Sequence, residues 1–342
     1  MRITFGVHLL SSALSLLIFC AGVFSPAFAL ERHIHAGAGG TSPQELPLLV
    51  AKDLGIFEKY GLDVDLVVIG GGSRLMQALI GRSLDSANVA AMAPIRANLS
   101  GANVVITGAF LNRNLYKFVT RKEIRKPADL RGKKIAVVNF GGANEFSVLM
   151  ALKSWGLPPD SVKLVPSGDS MTRLMALEVS GGADATVVPY SNAVIAAQRG
   201  LNILGDLGEI VKEFPDRTFI AERSFIETKR DNAKKFFQAV SEAIYRLRTQ
   251  PQLKERTVAI IAKRLRLDSK SAEEAYEGYH NVFSFPPRVG RRGLQDVLDI
   301  IQREPGRTKT DTDLNRLVDE SVLDGLEKDG FFKKLEAEYP RK

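Results

Sequence analysis

Apolar positions along the chain fall into two alternating rhythms. Short β-branched runs at residues 64–69, 104–110 and 162–165 predict strands, and stretches with apolar residues three and four apart, as in 47–62 and 146–157, predict amphipathic helices. Gly61 and Gly156 each follow such a helix and predict its end. After residue 224 only the helical rhythm remains. Phe236, Val240, Ile244 and Leu247 share one face; so do Val258, Ile261, Ala262 and Leu265, and then Leu294, Val297, Leu298 and Ile301. These are expected to be packing helices laid on the first lobe.

The rhythm is written twice. Residues 41–110 and 141–207 carry the same three blocks in the same order: a helix ended by aromatic-Gly-Leu, a strand and Gly/Ser turn leading to a helix with Arg-Leu-Met, and an Asp opening a small-residue strand. Arg74 precedes Asp85, and Arg173 precedes Asp184, by the same interval. Each copy closes on Gly-x-Asn, at Gly101 and at Gly200.

Strands alternating with helices give βαβ units and a mostly parallel sheet, since a parallel crossover needs a helix to return the chain. The expected fold class is therefore α/β, with two doubly wound lobes joined by two crossing strands at 115–120 and 217–221 and a helical C-terminal region. The division expected is a leader at 1–29, lobe 1 at 30–114, lobe 2 inserted at 115–219, and the rest of lobe 1 at 220–342.

The N-terminus has the three parts of a secretory signal: Arg2, an apolar run from Leu9 to Val23, and Ala27-Phe28-Ala29 as a small-x-small cleavage site. The mature chain is expected to begin at Leu30 and to be periplasmic. The apolar run is shorter than the roughly 20 residues a membrane span needs. Phe19 before Cys20 argues against a lipobox.

Cys20 is the only cysteine of the 342 residues, so cleavage removes disulfides, thiolate nucleophiles and thiolate metal sites from the chemistry available. The net charge of +8 falls to about +7 with Arg2, an excess that concentrates anions near the surface. The basic clusters between Lys229 and Arg303 interleave with acids opposite the apolar faces, as solvated helices do, so no nucleic-acid partner is expected. No Gly-x-Ser-x-Gly elbow occurs, and the run at 37–40 lacks the acid that a dinucleotide fingerprint needs after its second strand. No enzyme activity and no cofactor are expected. His33 and His35 alternate onto one face of the first strand, with only His280 elsewhere after the leader, and are expected to be a solvated strand end rather than a metal site.

The stretches PLLVAKDLGIFEKYGLDVDLV (47–67), GGSRLMQALIGRSLDSANVA (71–90), PADLRGKKIAV (127–137) and ALEVSGGADATVVPY (176–190) resemble the solute-binding proteins of nitrate, taurine and alkanesulfonate ABC importers. That family also includes binders of thiamine pyrimidine precursors. The resemblance implies a type II periplasmic-binding fold. Family members take sulfonates, nitrate, pyrimidines and aromatic acids, so the resemblance does not fix the ligand; the ligand expected here is a small organic anion (a sulfonate, taurine or nitrate-like, or an aromatic acid), with a membrane permease as partner of a monomeric protein. The alternatives on the same fold are a ligand-sensing module and a pyrimidine-precursor binder or enzyme.

Ligands of open α/β sheets sit beyond the carboxyl ends of strands. The loops there are 37–44, 70–74 and 87–94, with counterparts at 139–145, 167–170 and 188–192. Gly72 and Ser73, with Ser73 as N-cap, are expected to leave backbone N–H groups free for an anion at a positive helix end, and Gly141, Gly142 and Asn144 to repeat that device at the equivalent place in the second lobe. Ordinary capping is the competing explanation. Tyr190, at a strand end, is expected to stack on or hydrogen-bond to a ligand. Ser42, Gln44, Met92 and Asn112 are candidates by loop position alone.

Overall fold

The computed structural model describes residues 32–39, 42–303 and 313–340. The leader, its cleavage site and Gly40-Thr41 of the first loop lie outside them. Ten strands are described: β1 (His33–Ala38), β2 (Asp63–Val68), β3 (Ser86–Val89), β4 (Val104–Leu111), β5 (Tyr116–Thr120), β6 (Lys134–Val137), β7 (Lys163–Pro166), β8 (Ala185–Pro189), β9 (Asn202–Asp206) and β10 (Arg217–Glu222). They form two five-stranded sheets, in the orders β2-β1-β3-β10-β4 and β7-β6-β8-β5-β9.

The two orders are the same order, so the repeat seen in sequence is a repeat of topology. Each sheet is mixed: four of its five strands run in one direction, and the single reversed strand, β10 in lobe 1 and β5 in lobe 2, is antiparallel to both its neighbours. The reason is geometric. Each odd strand enters from the opposite lobe, at the carboxyl end of the parallel strands, and must run away from it.

The crossings themselves are the short segments 112–115 and 211–216, just before the strands expected to cross. They are tied to one another: the Phe214 N–H donates to the Asn112 carbonyl and the Asp216 N–H to that of Leu111, both at 2.9 Å. The helix Arg230–Thr249 buries Phe236, Phe237, Val240, Ile244 and Leu247 against Leu46, Leu48 and Phe57 of lobe 1. At about 1.5–3 kcal/mol for each fully buried large apolar side chain, this face alone binds the C-terminal helices firmly to lobe 1. The helix Arg291–Gln302 buries Leu294, Val297, Leu298 and Ile301 in a second cluster, which also takes in Phe146 and Met150 from lobe 2. The two lobes thus touch beside the cleft.

Candidate functional site

The floor of the cleft on the lobe 1 side is a buried polar cluster where the loop after β1 meets the second crossing. Gln44 donates to Asp216 Oδ2 at 2.7 Å and accepts from Arg217 Nη2. Arg217 also donates through Nε to Glu45 Oε1 at 2.8 Å and through Nη1 to Asp216 Oδ1 at 2.9 Å, and Asn88 donates to Glu45 Oε2. Glu45 and Asp216 are almost wholly shielded from water. Burial raises the pKa of Glu45 to about 7 despite Arg217 beside it, and it pushes Asp216 up as well. The Tyr116 phenol is raised to about 12 and that of Tyr279 is also raised, by burial first and then by neighbours that include the Asp216 carboxylate. Near neutral pH the cluster therefore carries little net charge.

Lobe 2 presents a different electrostatic face. Arg173 is only 1% exposed, and it donates to Thr186 Oγ1 at 2.9 Å, Ser170 Oγ at 3.3 Å, Val187 O at 3.1 Å and Gly168 O, all of them uncharged. The nearby Asp169 is turned away to cap its own helix at Thr172. Arg74, the repeat counterpart of Arg173, lies exposed on the surface, and the position matching Thr186 is Ala87, which has no oxygen to receive a guanidinium. A buried guanidinium held only by neutral acceptors has its pKa lowered by desolvation and leaves a positive potential at the carboxyl edge of this sheet. Across the gap, Arg96 of the lobe 1 helix Met92–Leu99 reaches lobe 2, where its guanidinium lies 4.9 Å from the Phe146 ring centre, and a Cβ at Gly141 would come 2.6 Å from its Nη1.

The residues expected at the site separate into groups. Ser42 and Gln44 do lie at the cleft floor, with Ser42 Oγ 3.4 Å from Gln44 Oε1. Ser73 is not an N-cap. Gly71, at φ +92°, takes that position, and Ser73 is an exposed residue of the first turn behind Gly72. The two glycine devices are not equivalent either. Gly71 to Ser73 follow β2, whose counterpart is β7, whereas Gly141 to Asn144 follow β6, the counterpart of β1.

Gly141, at φ +82°, precedes the N-cap Gly142, but its N–H already donates to the Glu145 carboxylate of the same turn. Asn144 is committed to the sheet, accepting from the Val138 N–H at 3.3 Å and donating to Val187 O at 3.0 Å. Met92 is 1% exposed and belongs to the core. Asn112 binds the segment beneath the crossing, donating to Ser284 Oγ at 3.0 Å and Arg288 O at 2.7 Å and accepting from the Gly290 N–H at 2.9 Å. Tyr190 is 62% exposed at the lobe 2 rim, with Lys117 Nζ 5.7 Å from its ring centre. Sequence reasoning missed Glu45, Arg96, Arg173, Asp216 and Arg217. The one available signal was Asp216-Arg217, a charged pair at the start of β10.

Two lobes of one topology, joined by two short crossings and facing each other with the carboxyl ends of their parallel strands, define the type II periplasmic-binding fold. The solved structure of the periplasmic aliphatic sulphonate binding protein SsuA from Escherichia coli superposes with a TM-score of 0.69 at 19% identity, over 85% of this chain and 98% of SsuA. The sequence profile of the NMT1/THI5-like family matches residues 42–253, and the chain belongs to that family. YtlA of Bacillus subtilis is 26% identical over 285 residues, 81% of this chain and 85% of YtlA. The taurine-binding periplasmic protein of Escherichia coli is 28% identical over 203 residues, 58% of this chain and 62% of that protein.

Proposed function

We propose that the protein is the exported solute-binding component of an ABC importer, a binder and not an enzyme, which closes its two lobes on a small organic anion and delivers it to a membrane permease. The observation that carries the ligand class is Arg173. Its guanidinium is buried at the lobe 2 edge of the cleft with neutral partners, and its charge is best balanced by an anion arriving from solution. The opposite wall pairs the Glu45 and Asp216 carboxyls with Arg217 and so sets no unpaired carboxylate against an incoming anion. The relatives that bind taurine and sulphonates support the same class. Export with cleavage after Ala29 completes the reading, and the mature protein acts as a monomer without nucleic acid.

A thermal-shift screen of alkanesulfonates, taurine, nitrate, aromatic acids and pyrimidines tests it, because a ligand that binds only the folded state raises Tm. A sulfonate or carboxylate hit is expected, with micromolar affinity by calorimetry. Binding of an uncharged pyrimidine alone would overturn the anion reading. N-terminal sequencing of exported protein is expected to begin at Leu30.

A further inference from the structure

We propose that His33, His35 and Asp65 form a zinc site on the outer edge of lobe 1, remote from the cleft. The parallel register of β1 and β2 pairs His33 with Asp63 and His35 with Asp65. Residues two apart on a strand share a face, so the four side chains form a two-by-two array that neither strand's sequence reveals alone. His33 Nε2 stands 3.1 Å from Asp65 Oδ2, and His35 Nδ1 stands 3.7 Å from the same oxygen. The ligand atoms of His33, His35 and Asp65 all lie within 4.8 Å of one another, and the imidazole rings meet edge-on at 4.6 Å. Zinc bonds of about 2.0–2.2 Å in a tetrahedron set ligand-to-ligand distances of about 3.3 Å, which the two observed separations bracket.

His33 Nδ1 lies 2.9 Å from Asp63 Oδ2, so its other ring nitrogen, Nε2, is the one turned toward Asp65. Asp63 then orients a metal-bound histidine through its other nitrogen, as outer carboxylates do, and is itself held by Lys52 Nζ at 3.4 Å. Two imidazoles and one carboxylate suit zinc, with a fourth position open to water. β2 is an edge strand, so the metal would clip it to β1 at the amino ends of the strands, while the ligand loops lie at their carboxyl ends.

Chelator-stripped protein titrated with zinc chloride by calorimetry is expected to bind one ion per chain at micromolar affinity and to gain Tm. Cobalt(II) is expected to give the intense visible band of four-coordinate geometry. His35→Ala and Asp65→Asn are expected to weaken zinc at least 100-fold, and Asp63→Asn about 10–100-fold with the cobalt band kept, while His280→Ala changes nothing. These side chains are exposed or half-exposed, and circular dichroism with His35→Gln as a second variant separates lost binding from lost folding. Non-saturable binding, or wild-type affinity in folded His35→Ala, would overturn the site. So would nitrogen NMR showing the His33 and His35 ring signals unmoved by zinc.

Discussion

Asp85 and Asp184 grip the same atoms in the two lobes. Each carboxylate accepts from the backbone N–H fifty residues earlier, His35 at 3.0 Å and Lys134 at 2.8 Å, and each aspartate's own N–H returns a bond to that residue's carbonyl. The bracket pins the third parallel strand of a lobe beside its first before pairing begins.

Removing one bracket is therefore expected to destabilise its lobe. Asp184→Ala loses a charge-assisted bond at a partly shielded site and is expected to cost about 1–2 kcal/mol in urea unfolding, with Asp184→Asn costing less because one acceptor survives. Equal stability of all three proteins would show that the bracket is incidental.

The repeat was legible because helix and strand periods and the Arg-Leu-Met to Asp interval survive in the order of residues. The direction of β5 and β10 was not, since a strand carries no mark of which lobe its chain arrives from. Among the residues chosen by loop position, Gln44 lies beside the second crossing, bonded to Asp216 and Arg217, whereas Met92 is in the core, because its helix turns its apolar side inward and sends Arg96 outward to lobe 2. Asn112 and Asn144 looked free to bind ligand because the backbone groups they satisfy belong to segments distant in sequence. Arg173 could not be told from its exposed twin Arg74 without knowing that Thr186 faces it.

That pair supplies a matched test. Arg173→Met keeps the bulk and removes the charge, and it is expected to weaken an anionic ligand about 10–100-fold, the loss of a charge-assisted interaction of about 1.5–3 kcal/mol. Arg74→Met is expected to leave affinity unchanged. Calorimetry with the anion from the screen decides, and equal affinities in the two variants would remove Arg173 from recognition.

Glu45 makes stability depend on pH in a stated direction. Its ordinary value is 4.5 and the folded value is about 7, so between them the unfolded chain releases a proton that the native state keeps. Stability from this group is full below about 4.5 and is lost as pH rises through 7. Urea midpoints at pH 5, 6, 7 and 8 are expected to fall more steeply for the wild type than for Glu45→Gln between pH 5 and 7, with parallel curves above. Other carboxylates contribute equally to both proteins, so the difference isolates Glu45. Parallel curves throughout would mean that Glu45 stays ionised in the fold.

The last expectation concerns motion. The lobes are connected by two crossings bonded to each other, and beside the cleft they meet through the Arg96–Phe146 contact, the shared apolar cluster and the ion pair of Lys153 with Asp296 at 2.8 Å. Rigid lobes on such a joint rotate while their cores stay packed. The ion pair is partly exposed on both sides, so breaking it is worth at most about 1 kcal/mol, no more than roughly five-fold in the balance of open and closed forms. Ligand shifts that balance only by binding the closed form more tightly, which holds if it contacts the Arg173 wall and the Gln44 floor together. Spin labels at the exposed Lys163 and Lys270, on opposite lobes, are expected to show a broad distance distribution without ligand that narrows at saturation. Lys153→Ala is expected to broaden the ligand-free distribution modestly and to leave the saturated one unchanged. A distribution that ignores saturating ligand would mean that the lobes do not rotate on binding.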